Sequence, residues 1–230
     1  VNEEWITDKD RFAFPWQDGA DRLKTPFVRD SSGKLVPTSW PDALDVAARG
    51  LKEAQGVGVL TGGRLAMEDA YAYSKFARVV LGTNDIDFRT RPVSAEEDAF
   101  LGSTVAGSGL GVTYKDLESA GHVLTVGFEA EEECGTVFLR LRKGFLAGTV
   151  SVSVISAYET GGTAKMGARF IPAAPGTEAA LLDGLTSGDP TFDALAEAGV
   201  ILVGERTADT PGALSAALRL AERTGARIAW

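Results

Sequence analysis

Short runs of Val, Ile and Leu alternate along the chain with stretches whose apolar residues recur at helical spacing. Val57-Gly58-Val59-Leu60, Val123-Leu124-Thr125-Val126, Val150 to Ile155, Val200-Ile201-Leu202-Val203 and Arg227 to Trp230 predict strands, the first of them short and buried. Arg169-Phe170-Ile171 predicts a brief edge strand, and Ile86-Asp87-Phe88 a short one. Helices are expected between them. Ala43, Leu44, Ala47, Ala48 and Leu51 form one apolar stripe, opened by Ser39 as N-cap and Pro41 in the first turn. Ala70, Tyr71, Tyr73, Phe76, Ala77 and Val80 form a second stripe, stopped by Gly82. Val137, Leu139, Leu141, Phe145 and Leu146 mark a helix from Cys134 to Ala147, and further helices are read over 177–185, 193–198 and 211–224, the first capped by Thr177.

Apolar strand runs separated by helices are the pattern of a parallel sheet buried on both faces. Right-handed connections then give a doubly wound, mostly parallel α/β fold. Residues 1–38 read differently. Trp5, Phe12, Phe14, Trp16 and Phe27 lie among charges and prolines without period, and Phe27–Arg29 with Lys34–Pro37 reads as a hairpin. The expected organisation is an N-terminal arm and hairpin over 1–38, then a Rossmann-like α/β domain over 39–230. Both ends read as cuts in a longer protein, because Arg227-Ile228-Ala229-Trp230 looks like the start of a strand.

Composition narrows the chemistry. The net charge of −9 opposes nucleic-acid binding, which needs a positive field to replace counterions. No apolar run approaches the roughly 20 residues of a membrane span, so direct membrane insertion is not expected. With one cysteine, Cys134, and one histidine, His122, neither a disulfide, a zinc site nor an iron–sulfur cluster can be assembled. Cys134 reads as a small buried apolar residue and His122 as a hydrogen-bonded structural one.

In an open parallel sheet, ligands sit at the carboxyl ends of the strands where the strand order reverses. The candidate loops are Thr61-Gly62-Gly63-Arg64, Gly127-Phe128-Glu129 and Ser156-Ala157-Tyr158-Glu159. Gly62-Gly63 meets half the requirement of a phosphate loop, and Gly107, Gly109 and Gly111 have no strand before them. Glu129, Glu131, Glu132 and Glu133 crowd the start of the next helix. They complement its dipole, and they would also repel a diphosphate at a few kcal/mol per contact at about 4 Å. Lys165 and Arg169, after Gly161-Gly162, read as a surface turn more readily than as a weak anion site. The expected site is a vestigial crevice near Gly62, Gly63, Phe128, Glu129 and Tyr158, with no catalytic, cofactor-binding or metal residue.

Asn2 to Phe12 resembles the segment that follows the iron–sulfur region in the large G subunit family of bacterial NADH-quinone oxidoreductase, respiratory complex I. Arg22 to Arg29, Ser39 to Leu44, Leu81 to Asp87, Lys115 to Glu118 and Pro175 to Leu182 resemble the wider molybdopterin oxidoreductase superfamily. The resemblance implies a subunit whose absent N-terminal part carries 2Fe-2S and 4Fe-4S clusters passing electrons from NADH toward quinone. It implies other peripheral-arm subunits as partners, on the cytoplasmic side of the cell membrane. Active superfamily members carry a Gly-Ser-Asn-Pro-like loop after one strand and an Asp-Pro-Arg-like run after the next. This chain has Gly127-Phe128-Glu129-Ala130 and Ser156-Ala157-Tyr158 there, and no matching metal-ligating residue. The expected function is therefore a structural, cofactor-free domain that is not catalytic alone. The alternatives are a fragment of an active molybdopterin-dependent oxidoreductase, such as a formate dehydrogenase-like enzyme, and a nucleotide-binding module.

Overall fold

The computed structural model describes residues 6–89, 94–109 and 111–230. Trp5, the opening of the Asn2–Phe12 motif and Leu110 lie outside the described residues. The chain gathers into two compact units, one taking Val1–Phe14 with Val93–Trp230, the other Pro15–Pro92. The first helix, α1 (Asp8–Phe12), belongs to the larger unit and starts in a capping box between Thr7 and Asp10.

In the smaller unit, β1 (Phe27–Arg29) and β2 (Leu35–Pro37) pair antiparallel as the predicted hairpin. The Asp30 carboxylate accepts from the Ser32 and Lys34 N–H groups, and Gly33 takes φ +81° to close the turn. Helix α2 (Trp40–Glu53) begins where Ser39 accepts the Asp42 N–H, with Pro41 in its first turn. β3 (Val59–Leu60) leads to α3 (Met67–Phe76), a π-helical turn over Ala77–Leu81, and a stop at Gly82 in the left-handed region. β4 (Ile86–Asp87) pairs with β3 in parallel. The expectation of a buried strand at Val57–Leu60 is corrected here. Two residues pair with one partner strand in a sheet of their own, and Leu60 is 67% exposed.

The larger unit is the doubly wound α/β body. Helix α4 (Ala95–Phe100) continues as a π-helical turn over Leu101–Val105, which takes in Gly102. Then come α5 (Tyr114–Leu117), β5 (Gly121–Val126), α6 (Ala130–Glu133), α7 (Gly135–Ala147) and β6 (Val150–Ser156). Next are α8 (Gly161–Lys165), β7 (Arg169–Pro172), α9 (Glu178–Gly184) and α10 (Pro190–Ala198). β8 (Gly199–Val203), α11 (Ala213–Thr224) and β9 (Arg227–Ala229) complete it. Five parallel strands stand in the order β7-β6-β5-β8-β9. Two readings change. Gly161–Lys165 is a helix, not a turn, and Thr177 donates to the Ala174 carbonyl instead of capping α9.

Alternation along the strands divides the core. Leu124, Val126, Ile155, Ile201 and Val203 face α4, α9, α10 and α11, whereas Val123, Val152, Val154, Val200 and Leu202 face α5 and α7. The Val-, Ile- and Leu-rich strand runs were legible because both faces are covered.

His122 marks the amino end of β5. It is 5% exposed, and its Nδ1 lies 2.7 Å from the Ser151 hydroxyl. Ser151 spends its proton on the Gly121 carbonyl, so the imidazole donates through Nδ1. Nε2 has no partner among the described residues. Burial, with Arg169 nearby, lowers the His122 pKa from 6.5 to about 4. Between those values the unfolded chain binds a proton that the folded one refuses, so stability falls as pH drops from 6.5 to about 4. The loss is expected at about 2–3 kcal/mol, the scale of a depression of this size. Denaturant midpoints of wild type and His122→Gln across that window check it. Identical acid limbs would refute it.

Candidate functional site

The chain runs outward from β5 through β6 to β7, then returns to the other side of β5 for β8 and β9. The reversal places the ligand-binding position of such sheets between the carboxyl ends of β5 and β8. Here the two tips lie directly against each other. The Val126 carbonyl accepts both the Gly204 N–H and the Thr207 hydroxyl, each at 2.9 Å. Gly127 adopts φ +61°, and a Cβ built on it would fall 2.5 Å from the Thr207 nitrogen. A Cβ on Gly204 would fall 2.1 Å from the Gly127 carbonyl oxygen. A 3-10 turn over Glu205–Asp209 lies against this junction through Thr207.

The four glutamates after β5 do not form a bare negative field, and the expected repulsion of a diphosphate is corrected accordingly. Glu129 accepts the Thr160 hydroxyl at 2.7 Å and the Glu131 N–H at the start of α6. Glu131 pairs with Lys165, Glu132 with Lys9 of α1, and Glu133 with Arg206 at 2.6 Å. Glu133 also accepts the Glu129 N–H. The charges tie α6 to three other segments. Arg169 is likewise engaged, by Asp189 and Thr191, so neither cation of the weak anion site stands ready for a ligand.

A pterin dinucleotide carries a diphosphate that needs N–H or cationic donors and close backbone approach. At this junction the donors Gly204 N–H and Thr207 hydroxyl point to Val126, and Lys165 and Arg206 are held by carboxylates. The residues of this tip do not fit that group. Among the described residues, no cluster of three or more His, Cys, Asp or Glu side chains is placed to hold a metal ion.

Beside the closed tips lies a groove of about 710 Å³ within the larger unit. Tyr114, Phe128, Cys134, Val137, Leu202 and Trp230 line it. Cys134 sits in a non-helical break between α6 and α7 and is half-buried, not fully buried as expected. Within the larger unit, the predicted crevice residues do not line one site. Phe128 lines the groove, Glu129 caps α6, and Tyr158 is 71% exposed. Gly62 and Gly63 belong to the smaller unit, in an open turn where a Cβ would meet nothing within 4 Å. Gly204, Thr207, Thr160 and Arg206 escaped sequence reasoning. Gly204 carried a weak signal as a glycine ending a Val-rich strand, and the others carried none.

The chain belongs to a known family of oxidoreductases with an α/β body. The pattern of the molybdopterin oxidoreductases matches residues 22–204. Over its whole length the chain is 56% identical to the G subunit of NADH-quinone oxidoreductase from Mycobacterium bovis and 52% identical to its counterpart from Streptomyces coelicolor. It spans about 29% and 30% of the length of those curated relatives. It is also 28% identical, over 80% of its length, to the alpha subunit of F420-dependent formate dehydrogenase 1 from Methanococcus maripaludis, of which it covers 27%. The resemblances read from Asn2–Phe12 and from the later motifs both hold. Among the described residues, no helix is long and apolar enough to cross a membrane.

Proposed function

We propose that this chain is a structural, cofactor-free domain within the large iron–sulfur subunit of an NADH-quinone oxidoreductase. The 2Fe-2S and 4Fe-4S clusters that carry electrons from NADH toward quinone belong to other parts of that subunit. The domain packs among peripheral-arm subunits on the cytoplasmic side of the membrane. Whole-length similarity to the G subunits supports the assembly. The observation that carries the cofactor-free reading is the closed β5–β8 junction, with Gly204 and Thr207 both hydrogen-bonded to the Val126 carbonyl. Exposed Phe12, Phe14 and Trp16 offer aromatic contacts to neighbouring protein.

The second reading, a piece of a working molybdopterin enzyme, draws on the similarity to the formate dehydrogenase subunit. Metal and pterin analysis of the purified full-length protein separates the two. Molybdenum, tungsten and oxidised pterin are expected far below one equivalent per chain. Stoichiometric metal with pterin would establish the second reading instead.

A further inference from the structure

The short helix α6 touches both sides of the closed junction. Its Glu133 carboxylate accepts the Glu129 N–H at 2.6 Å, in the loop that leaves β5. The same carboxylate pairs at 2.6 Å with Arg206, in the turn that follows β8. Arg206 precedes Thr207, a buried residue whose hydroxyl and N–H reach the Val126 and Gly204 carbonyls. One carboxylate therefore clasps the two strand tips. Of the four residues of α6, Ala130 alone is buried, so ion pairs carry much of what keeps this helix seated.

Helix α1 bears on α6 from outside. Lys9 donates to the Glu132 carbonyl at 3.1 Å and pairs with the Glu132 carboxylate. Thr7 and Asp10 lie close on Gly135, at the first position of α7. A Cβ there would stand 2.4 Å from Thr7 Cγ2 and 3.0 Å from Asp10 Oδ2. Gly135 is not in the left-handed region, so the approach of α1, not the backbone, is what calls for glycine. No residue of α1 is buried, so this segment adds little to the core. Its contacts fall on the hinge between α6 and α7.

We propose that α1 is a latch: docked on Glu132 and Gly135, it holds α6 in place and thereby keeps the β5–β8 tips shut. The route is short. Lys9 fixes Glu132, and the next residue, Glu133, holds Arg206 and the Glu129 N–H. Release of α1 strips Glu132 of its cation among neighbouring glutamates, and the like-charge excess favours lifting α6. The latch concerns how the junction is kept shut and stands apart from the absence of a cofactor. Metal and pterin content test that reading, and amide exchange tests this one.

The experiment uses the full-length protein and reads tryptic cleavage after Arg11 together with amide exchange at Gly204 and Thr207. In Gly135→Ala the new methyl meets a side chain of exposed α1, so α1 and not α7 gives way. Cleavage after Arg11 is expected to quicken about fivefold and exchange at both amides about threefold, the scale of local opening. The α7 amides stay as protected as before, because alanine suits a helix better than glycine. Adding Thr7→Ser, which removes Cγ2 and keeps the capping hydroxyl, should return both signals toward wild type. Lys9→Met should also quicken exchange about threefold, the scale of one exposed ion pair, and should lose that effect in an Arg206→Met background. Faster cleavage with unchanged exchange at Gly204 and Thr207 would overturn the proposal. So would unchanged cleavage, loss of α7 protection in step with the junction, or a Lys9 effect that persists without Arg206.

Discussion

Gly204→Ala is expected to destabilise the larger unit by about 3 kcal/mol or more, at the upper end of overpacking effects. The added methyl would stand 2.1 Å from the Gly127 carbonyl oxygen and 2.6 Å from its carbon, and both are backbone atoms that cannot swing aside. The β8 tip would have to lift, breaking the Gly204 N–H and Thr207 hydroxyl bonds to Val126 together. Amide exchange in β5 and β8 reads this directly, with loss of protection expected at Val126 and Val203. Gly63→Ala is the matched control. Its Cβ meets nothing within 4 Å and its backbone is not left-handed, so it should stay within about 0.5 kcal/mol of wild type. Equal exchange in the two variants would mean that the tips are not locked.

Glu96→Ala should lose about 2–3 kcal/mol, because it strips three donors at once. The Glu96 carboxylate, on α4, accepts the Gly212 N–H at 2.7 Å, the Ser215 N–H at 2.8 Å and the Ser215 hydroxyl at 2.7 Å. Helix α11 has no side-chain cap of its own, since its N-cap is Gly212. The carboxylate therefore ends the helix and answers its dipole from another part of the chain. Burial pushes the Glu96 pKa up, but the Ser215 and Gly212 bonds outweigh it and hold the carboxyl below its ordinary 4.5. That stabilisation is present above the ordinary value and disappears as pH falls through the depressed one. Glu96→Gln keeps one acceptor and should lose roughly half as much as the alanine variant. Chemical denaturation followed by exchange of the Gly212 and Ser215 amides tests the pair. Wild-type protection in Glu96→Ala would rule the cap out.

The body of the fold was legible because β5, β6 and β8 are rich in Val, Ile and Leu and α2, α7 and α11 carry clear stripes. The hairpin at Phe27–Pro37 was legible from its Asp-Ser-Ser-Gly turn. Val57–Leu60 shows the limit. Its composition is that of a core strand, yet sheet membership depends on neighbours that local composition does not specify. The site was half legible. Strand-end loops were located correctly, but the junction that fills the crevice depends on Thr207 meeting Val126 across a long stretch of chain. The glutamates misled for the same reason. Their spacing was visible, but Lys9, Lys165 and Arg206 reach them only in three dimensions.

The strand order also bears on synthesis. The ribosome delivers β5, β6 and β7 before β8, so the growing chain can lay down half a sheet while one flank of its middle strand is bare. That flank stays adhesive until Gly199–Val203 emerges and docks. A translational pause between β7 and β8 would therefore expose nascent chains to mispairing, and one placed after β9 would not.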